Sequence, residues 1–196
     1  MISPVEAACG PDCAAFVARW QVWWRNNRRA PLAMLDCQRP YMPAVGCKTR
    51  NMVRKADSLY LDAPFAYNDR LAEIDAVNAS KAFRQGRPME GWYTRPAEPT
   101  TPARLCAVHR DTWYGASERL TGRLAAYARV ARVSDRLAIL VSFLAHGQAP
   151  AAANGLLAYL AGELDVRWLN YLHMTCATPS LEAFKRHAGF QEVDCA

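Results

Sequence analysis

Two rhythms of apolar residues run through this chain, and they alternate most clearly between Arg136 and Val193. The run RLAILVSFLAHG reads as an apolar strand that ends in a tight turn of small residues. QAPAAANGLLAYLAGELDV follows with the spacing of an amphipathic helix, and RWLNYLHM is a second apolar strand. PSLEAFKRHAGFQEV then gives a second helix and a short strand. A strand that ends in small residues opening a helix brings backbone N–H groups and the positive end of the helix dipole to one spot, where phosphate can be held.

The earlier pattern is less regular. Asp12 can cap a helix from Cys13 to about Arg28, with Phe16, Val17, Trp20, Trp23 and Trp24 on one face. Pro31 breaks it, Leu32 to Cys37 reads as a short strand, and residues 38–46 are irregular. Residues 48–56 (KTRNMVRKA) form a basic helix, and Ser58 to Ala63 a strand. Asn68 or Asp69 caps a helix through about Phe83, with Leu71, Ile74, Val77 and Asn78 on one face. RQGRPM (84–89) reads as a loop and 91–103 as a proline-rich connector. Arg104 to Tyr114 and Leu124 to Val133 are expected as antiparallel strands, with Gly115 and Gly122 in the turn between them. The order predicts an α/β domain at 58–196, built on a mixed, mostly antiparallel sheet flanked by helices, behind a helical extension at 1–57.

Composition narrows the class. Of 196 residues 52% are hydrophobic, enough for a sizeable core, and the formal charge of +6 favours anionic partners such as a CoA-type cofactor or nucleic acid. No apolar run approaches the roughly 20 residues that cross a bilayer, and the N-terminus lacks a signal-peptide pattern, so a soluble, cytoplasmic protein is expected. The seven cysteines are scattered, which argues for reduced thiols rather than a disulfide framework. Cys9 and Cys13 flank Gly-Pro-Asp and could supply half a zinc site, but no second pair with convincing spacing completes it, so no metal is expected.

The order of elements resembles the GNAT acyltransferase fold over about residues 58–196, most strongly from Leu124 onward. Gln148 to Ala153 lies in register with that family's pyrophosphate loop, Q/R-x-x-G-x-G/A, ahead of paired leucines at Leu156 and Leu157. Ala151 replaces a glycine there and Pro150 lacks an N–H. Trp168 to Met174 matches the fifth strand, and Gly189-Phe190 the ending, while Lys185 stands where the family often has a tyrosine acid. FKRHAGF is similar to the F-K-x-x-x-G ending of Fem-type aminoacyl transferases, and KTRNMVRKA resembles the basic helix of that group; this chain has room for one such module.

The resemblance implies a splayed gap between the fourth and fifth strands. Backbone groups from Ser142 through Leu144 to Ala145 would grip the arm of acetyl-CoA or another acyl-CoA, and an N–H there would polarise the acyl carbonyl. Gln148, Ala151, Ala152, Ala153 and Asn154 would take the pyrophosphate. Base candidates are His146, Asn170, Tyr171 and His173, with His173 leading because a histidine titrates near neutral pH. A Cys176–His173 nucleophile lacks a third orienting group, and direct amine attack with water carrying the proton needs no base. Arg84 and Arg87 could bind a carboxylate or phosphate of the acceptor. The expected function is transfer of an acyl group from acyl-CoA to an amine of a small-molecule or peptide acceptor. The alternatives are a Fem-like transferase that uses charged tRNA, and a non-catalytic module whose Trp-rich helix joins a partner or a second copy.

Overall fold

The computed structural model describes residues 9–26, 30–84, 87–89, 91–175 and 178–194, without the side chains of 23–26, 87 and 92. The readings made on Trp23, Trp24, Cys176 and the Arg87 side chain fall outside the described residues. The elements are α1 (Pro11–Asn26), β1 (Leu32–Asp36), α2 (Tyr41–Ala44), α3 (Cys47–Leu59), β2 (Tyr60–Phe65), α4 (Leu71–Ala79), β3 (Phe83–Arg84) and β4 (Arg87–Pro88). They continue with α5 (Gly91–Thr94), β5 (Arg110–Glu118), β6 (Leu124–Arg132), β7 (Leu137–Ala145), α6 (Pro150–Glu163), β8 (Trp168–His173), α7 (Pro179–His187) and β9 (Gln191–Val193).

Seven strands form one sheet in the order β2-β5-β6-β7-β8-β1-β9. Short turns join β5 to β6 and β6 to β7, so those pairs are antiparallel, whereas β8 returns parallel to β7 after the α6 crossover. β1 comes from the part of the chain expected as a helical extension, yet it is a strand of the same sheet, between β8 and β9. No described helix is long and apolar enough to cross a membrane.

Alternation along β6 sorts the two faces. Ala126, Ala128 and Val130 share a core with Leu156, Leu157 and Leu160 of α6 and Ala56 of α3. Both paired leucines are fully buried because α6 lies between the sheet and α3, and each such burial contributes about 1.5–3 kcal/mol. Tyr127 faces the other way and packs with Trp113, Leu144 and with Ile74 and Val77 of α4. Farther along that face, Ala131, Val133 and Ile139 receive Phe16 of α1. Arg70 ties α4 to the β5–β6 hairpin: it makes paired 2.7 Å bonds to Glu73 and donates to Ser117 Oγ and the Gly122 carbonyl.

Four boundaries differ from the sequence reading, each for a local reason. α1 begins at Pro11, and the Gly10 carbonyl accepts from the Cys13 and Ala14 N–H groups, so Asp12 sits inside the first turn instead of capping it. The helix expected through Phe83 stops at Ala79, where Arg84 Nη2 donates to the Val77 carbonyl at 2.9 Å and Phe83–Arg84 turns back as a hairpin with Arg87–Pro88. The strand expected from Arg104 starts at Arg110, because His109 and Val108 fold their N–H groups onto the Cys106 sulfur. Gly115 lies within β5 and not in a turn; a Cβ there would sit 2.6 Å from Leu124 Cδ1, so its absence lets β6 close over it.

Candidate active site

β7 and β8 are hydrogen-bonded neighbours over three positions only, Leu137–Trp168, Ala138–Leu169 and Ile139–Asn170. Both strands then bend. In β7 the pairing with β6 passes from Leu140–Val130 to Ser142–Arg129, which leaves Val141 as an extra residue, a β-bulge. In β8, Leu172 takes a φ of 54°, a left-handed conformation that costs a leucine about 1–2 kcal/mol. Asn170, fully buried, holds that bend: Nδ2 donates to the Leu172 carbonyl at 3.1 Å and to the Ala33 carbonyl of β1 at 3.2 Å. The strands therefore part toward their C-terminal ends.

Backbone groups of β7 face the resulting cleft. The His146 N–H donates to the Ala125 carbonyl, so 146 and 125 are a hydrogen-bonded antiparallel pair. Ala145–Ala126 and Phe143–Ala128 are then the non-bonded pairs of the same ladder, and the N–H and C=O of Phe143 and Ala145 point away from β6. The cleft floor is aromatic. Tyr171 meets Phe143 edge-on at 5.9 Å, and Phe184 lies 6.2 Å from Phe143. Lys185 of α7 is buried beneath them, donates to the His173 carbonyl at 2.5 Å and sits 4.6 Å from the Tyr171 ring centroid. Above this floor opens a cavity of about 230 Å³ walled by Phe143, Leu144, Ala145, Ala153, Tyr171 and Phe184, with Lys81, Phe83 and Arg84 along one side.

The residues singled out from sequence divide. Leu144, Ala153, Tyr171 and Arg84 meet at this cavity. Ser142 is buried, and Ala151 and Ala152 turn into the core. Asn154 spends its amide on the Pro150 carbonyl of its own helix. Gln148 and His146 line a separate groove with Tyr60, Glu118 and Arg123. His173 is buried and does not line the cavity; burial first, and the Lys185 ammonium second, lower its pKa below the ordinary histidine value. Arg84 donates Nη1 to the Ala145 carbonyl at 2.7 Å and Nη2 to the Val77 carbonyl and Ser80 Oγ, so it clamps the end of β7 to α4 at the side of the cavity.

The amides that open the loop expected to take pyrophosphate already have acceptors. Gly147 N–H donates to Ser80 Oγ at 2.9 Å, Gln148 N–H to His146 Nδ1 at 3.2 Å and Ala149 N–H to the His146 carbonyl at 3.0 Å. Pro150 has none to give. Residues 80 and 81 press on the turn, since a Cβ on Gly147 would lie 2.9 Å from the Lys81 side chain. Phosphate binding at a helix N-terminus needs N–H groups free to meet the ligand, and those of 147–149 are already engaged. Lys185, which the sequence marks only as a departure from a tyrosine, is a buried cation beneath the cleft. Its clue is position: it falls four residues after Leu181 and three before Ala188, on the apolar stripe of α7.

No family model matches this sequence, and no curated protein matches it. Two solved structures resemble it in fold. One is a conserved protein of unknown function from Bacteroides thetaiotaomicron VPI-5482, with a TM-score of 0.56 and 12% identity over 85% of this chain and 57% of that one. The other is L-PGS from Bacillus licheniformis, with a TM-score of 0.56 and 12% identity over 89% of this chain and 63% of that one. This chain thus spans about three fifths of the length of either, and identity at that level speaks to fold alone.

Proposed function

We propose that this chain is a GNAT-like acyl transferase that moves an aminoacyl group from an ester donor, charged tRNA, to an amine. The observation that carries the reading is the bulge at Val141 beside the three-residue β7–β8 pairing. Together they turn backbone N–H groups of Phe143 and Ala145 away from β6 toward the cavity, where one of them would polarise an acyl carbonyl. The amine nitrogen attacks the ester carbon, the C–N bond forms and the C–O bond breaks. The ribose oxygen leaves as a hydroxyl with the proton that the amine gives up. Tyr171 lines the cavity and carries a hydroxyl able to pass that proton, whereas His173 does not line it.

The satisfied amides at 147–149 favour charged tRNA over acyl-CoA, because a CoA pyrophosphate would have to displace bonds already made. The phosphates of tRNA have other cations to meet. Lys48, Arg54 and Lys55 are exposed on α3, and Lys81 stands at the cavity mouth, whereas Arg50 is tied to the Val45 carbonyl. Three phosphate contacts give a salt slope of about 2–3, so a fourfold rise in salt weakens binding about 16- to 64-fold. The test supplies tRNA charged with labelled amino acids together with amine-bearing peptides and small amines. Label moving into amide-stable product, and lost in Tyr171→Phe, supports the reading. Label that leaves tRNA no faster than spontaneous hydrolysis with every acceptor refutes it.

A further inference from the structure

Far from the cleft, two separate stretches bring four soft or borderline ligands together. Cys9 lies just before α1 and Cys13 in its first turn; Cys106 and His109 lie in the segment that leads into β5. One ligand atom from each falls within 4.8 Å of the others. The spacings C-x₃-C and C-x₂-H are the two halves of a metal site; only the first stands out in the sequence, because the second begins at Cys106, 93 residues after Cys13, and ends in a histidine instead of a matching cysteine.

The geometry points to a zinc site: we propose that Cys9, Cys13, Cys106 and His109 bind one Zn²⁺ as a closed Cys₃His centre that fastens α1 to the sheet. With Zn–S near 2.3 Å and Zn–N near 2.05 Å, a tetrahedron has S···S edges of about 3.8 Å and S···N edges of about 3.5 Å. The chain shows Cys9 Sγ to Cys106 Sγ at 3.6 Å, Cys9 Sγ to His109 Nδ1 at 3.3 Å and Cys106 Sγ to His109 Nδ1 at 3.4 Å. Backbone N–H groups of Val108 and His109 donate to Cys106 Sγ at 3.3 and 3.1 Å, which favours the thiolate form that a metal takes. Loading replaces the three thiol protons by the ion.

The role follows from place. Four protein ligands leave no open position, so the site is structural and not catalytic. It sits at the end of the sheet where Arg110 pairs with Arg132 and Ala138 follows, opposite the end where β7 and β8 part. Phe16, one turn beyond Cys13, is buried against Ala131, Val133 and Ile139 and meets the His109 ring edge-on at 6.3 Å. The metal and this ring together hold α1 down.

The full chain, purified without chelator, is expected to carry about one zinc by elemental analysis. Cys106→Ser and Cys13→Ser drop the zinc to background, while Cys37→Ser and Cys47→Ser keep it. Cobalt exchanged into the wild-type protein should show tetrahedral d–d bands and thiolate charge transfer, both erased by one equivalent of zinc. His109→Cys guards against a ligand variant that simply fails to fold: it should keep one metal and gain charge-transfer intensity. The proposal is overturned by wild-type protein that takes up neither metal, by cobalt bands unchanged in Cys106→Ser, or by a mass showing Cys9 and Cys106 joined as a disulfide.

Discussion

Gly155 of α6 packs tightly against Ala56 of α3, and replacing it with alanine tests how firmly that contact sets the fold. A Cβ there would lie 2.5 Å from Ala56 Cβ, while carbon atoms prefer about 3.5–4.0 Å, so the helices would have to separate by about 1 Å. Ala56 Cβ is fixed to the α3 backbone and cannot swing aside. Alanine gains about 1 kcal/mol of helix propensity over glycine, and overpacking of a core contact costs about 1–3 kcal/mol. A whole helix pair must move here, so the upper end applies and Gly155→Ala loses about 2 kcal/mol net. At roughly 2–4 °C per kcal/mol for a chain of this size, Tm falls by about 4–8 °C. Ala56→Gly alone costs about 2 kcal/mol in propensity and lost methyl burial. In the double variant the new methyl occupies the space the old one vacated. The pair should end within about 1 kcal/mol of wild type, where additivity demands about 4. Thermal and urea unfolding followed by circular dichroism read all four corners of the cycle. A rise in Tm for Gly155→Ala, or a double variant equal to the sum of the singles, refutes the packing argument.

Other outcomes follow from single groups. Burial first, and Asp57 second, raise the Asp62 carboxyl to about 6 against the partial relief of Arg119. Between its ordinary 3.8 and about 6 the folded state binds more protons than the unfolded one, so this group lowers stability as pH rises through that window. Asp62→Asn should therefore raise Tm at pH 8 and leave it unchanged at pH 4; an equal gain at both would show the carboxylate is not the cause. Glu73 acts with the opposite sign: the Arg70 guanidinium first holds its pKa down, so its contribution is present above the ordinary value of 4.5 and is lost as pH falls below it. Arg70→Met should flatten that acid limb of the stability profile. Asn170→Ala removes the donor to the buried Ala33 carbonyl and the half-buried Leu172 carbonyl and should cost about 2–4 kcal/mol, with release of the Leu172 bend visible in amide hydrogen exchange along β8.

Most of the sheet was legible because its strands and α6 carry clean periods. Leu137 to Ala145, Pro150 to Glu163 and Trp168 to His173 all fall where the apolar rhythm puts them. The end of α4 is misplaced because a side chain reaches back to the backbone, as Arg84 does at the Val77 and Ala145 carbonyls. Periodicity cannot see such bonds. The cavity was legible in part: Leu144 and Ala153 were placed by register, and Tyr171 by its strand. The satisfied turn at 146–149 was hidden, because its Gly147 bond comes from Ser80, 67 residues earlier. Half of the thiol-and-imidazole cluster was hidden for the same reason, since only the fold brings Cys106 and His109 to Cys9 and Cys13.

The most direct test of the cleft is a paired titration of the full chain with acetyl-CoA and with a non-hydrolysable 3′-aminoacylamino-adenosine, followed by thermal shift. A ligand that binds only the native state raises Tm by mass action. A rise with the aminoacyl-adenosine that Tyr171→Ala removes is expected, and none with acetyl-CoA. A rise with acetyl-CoA would contradict the reading of the 146–149 turn, and no rise with either would contradict the cleft as an acyl-donor site.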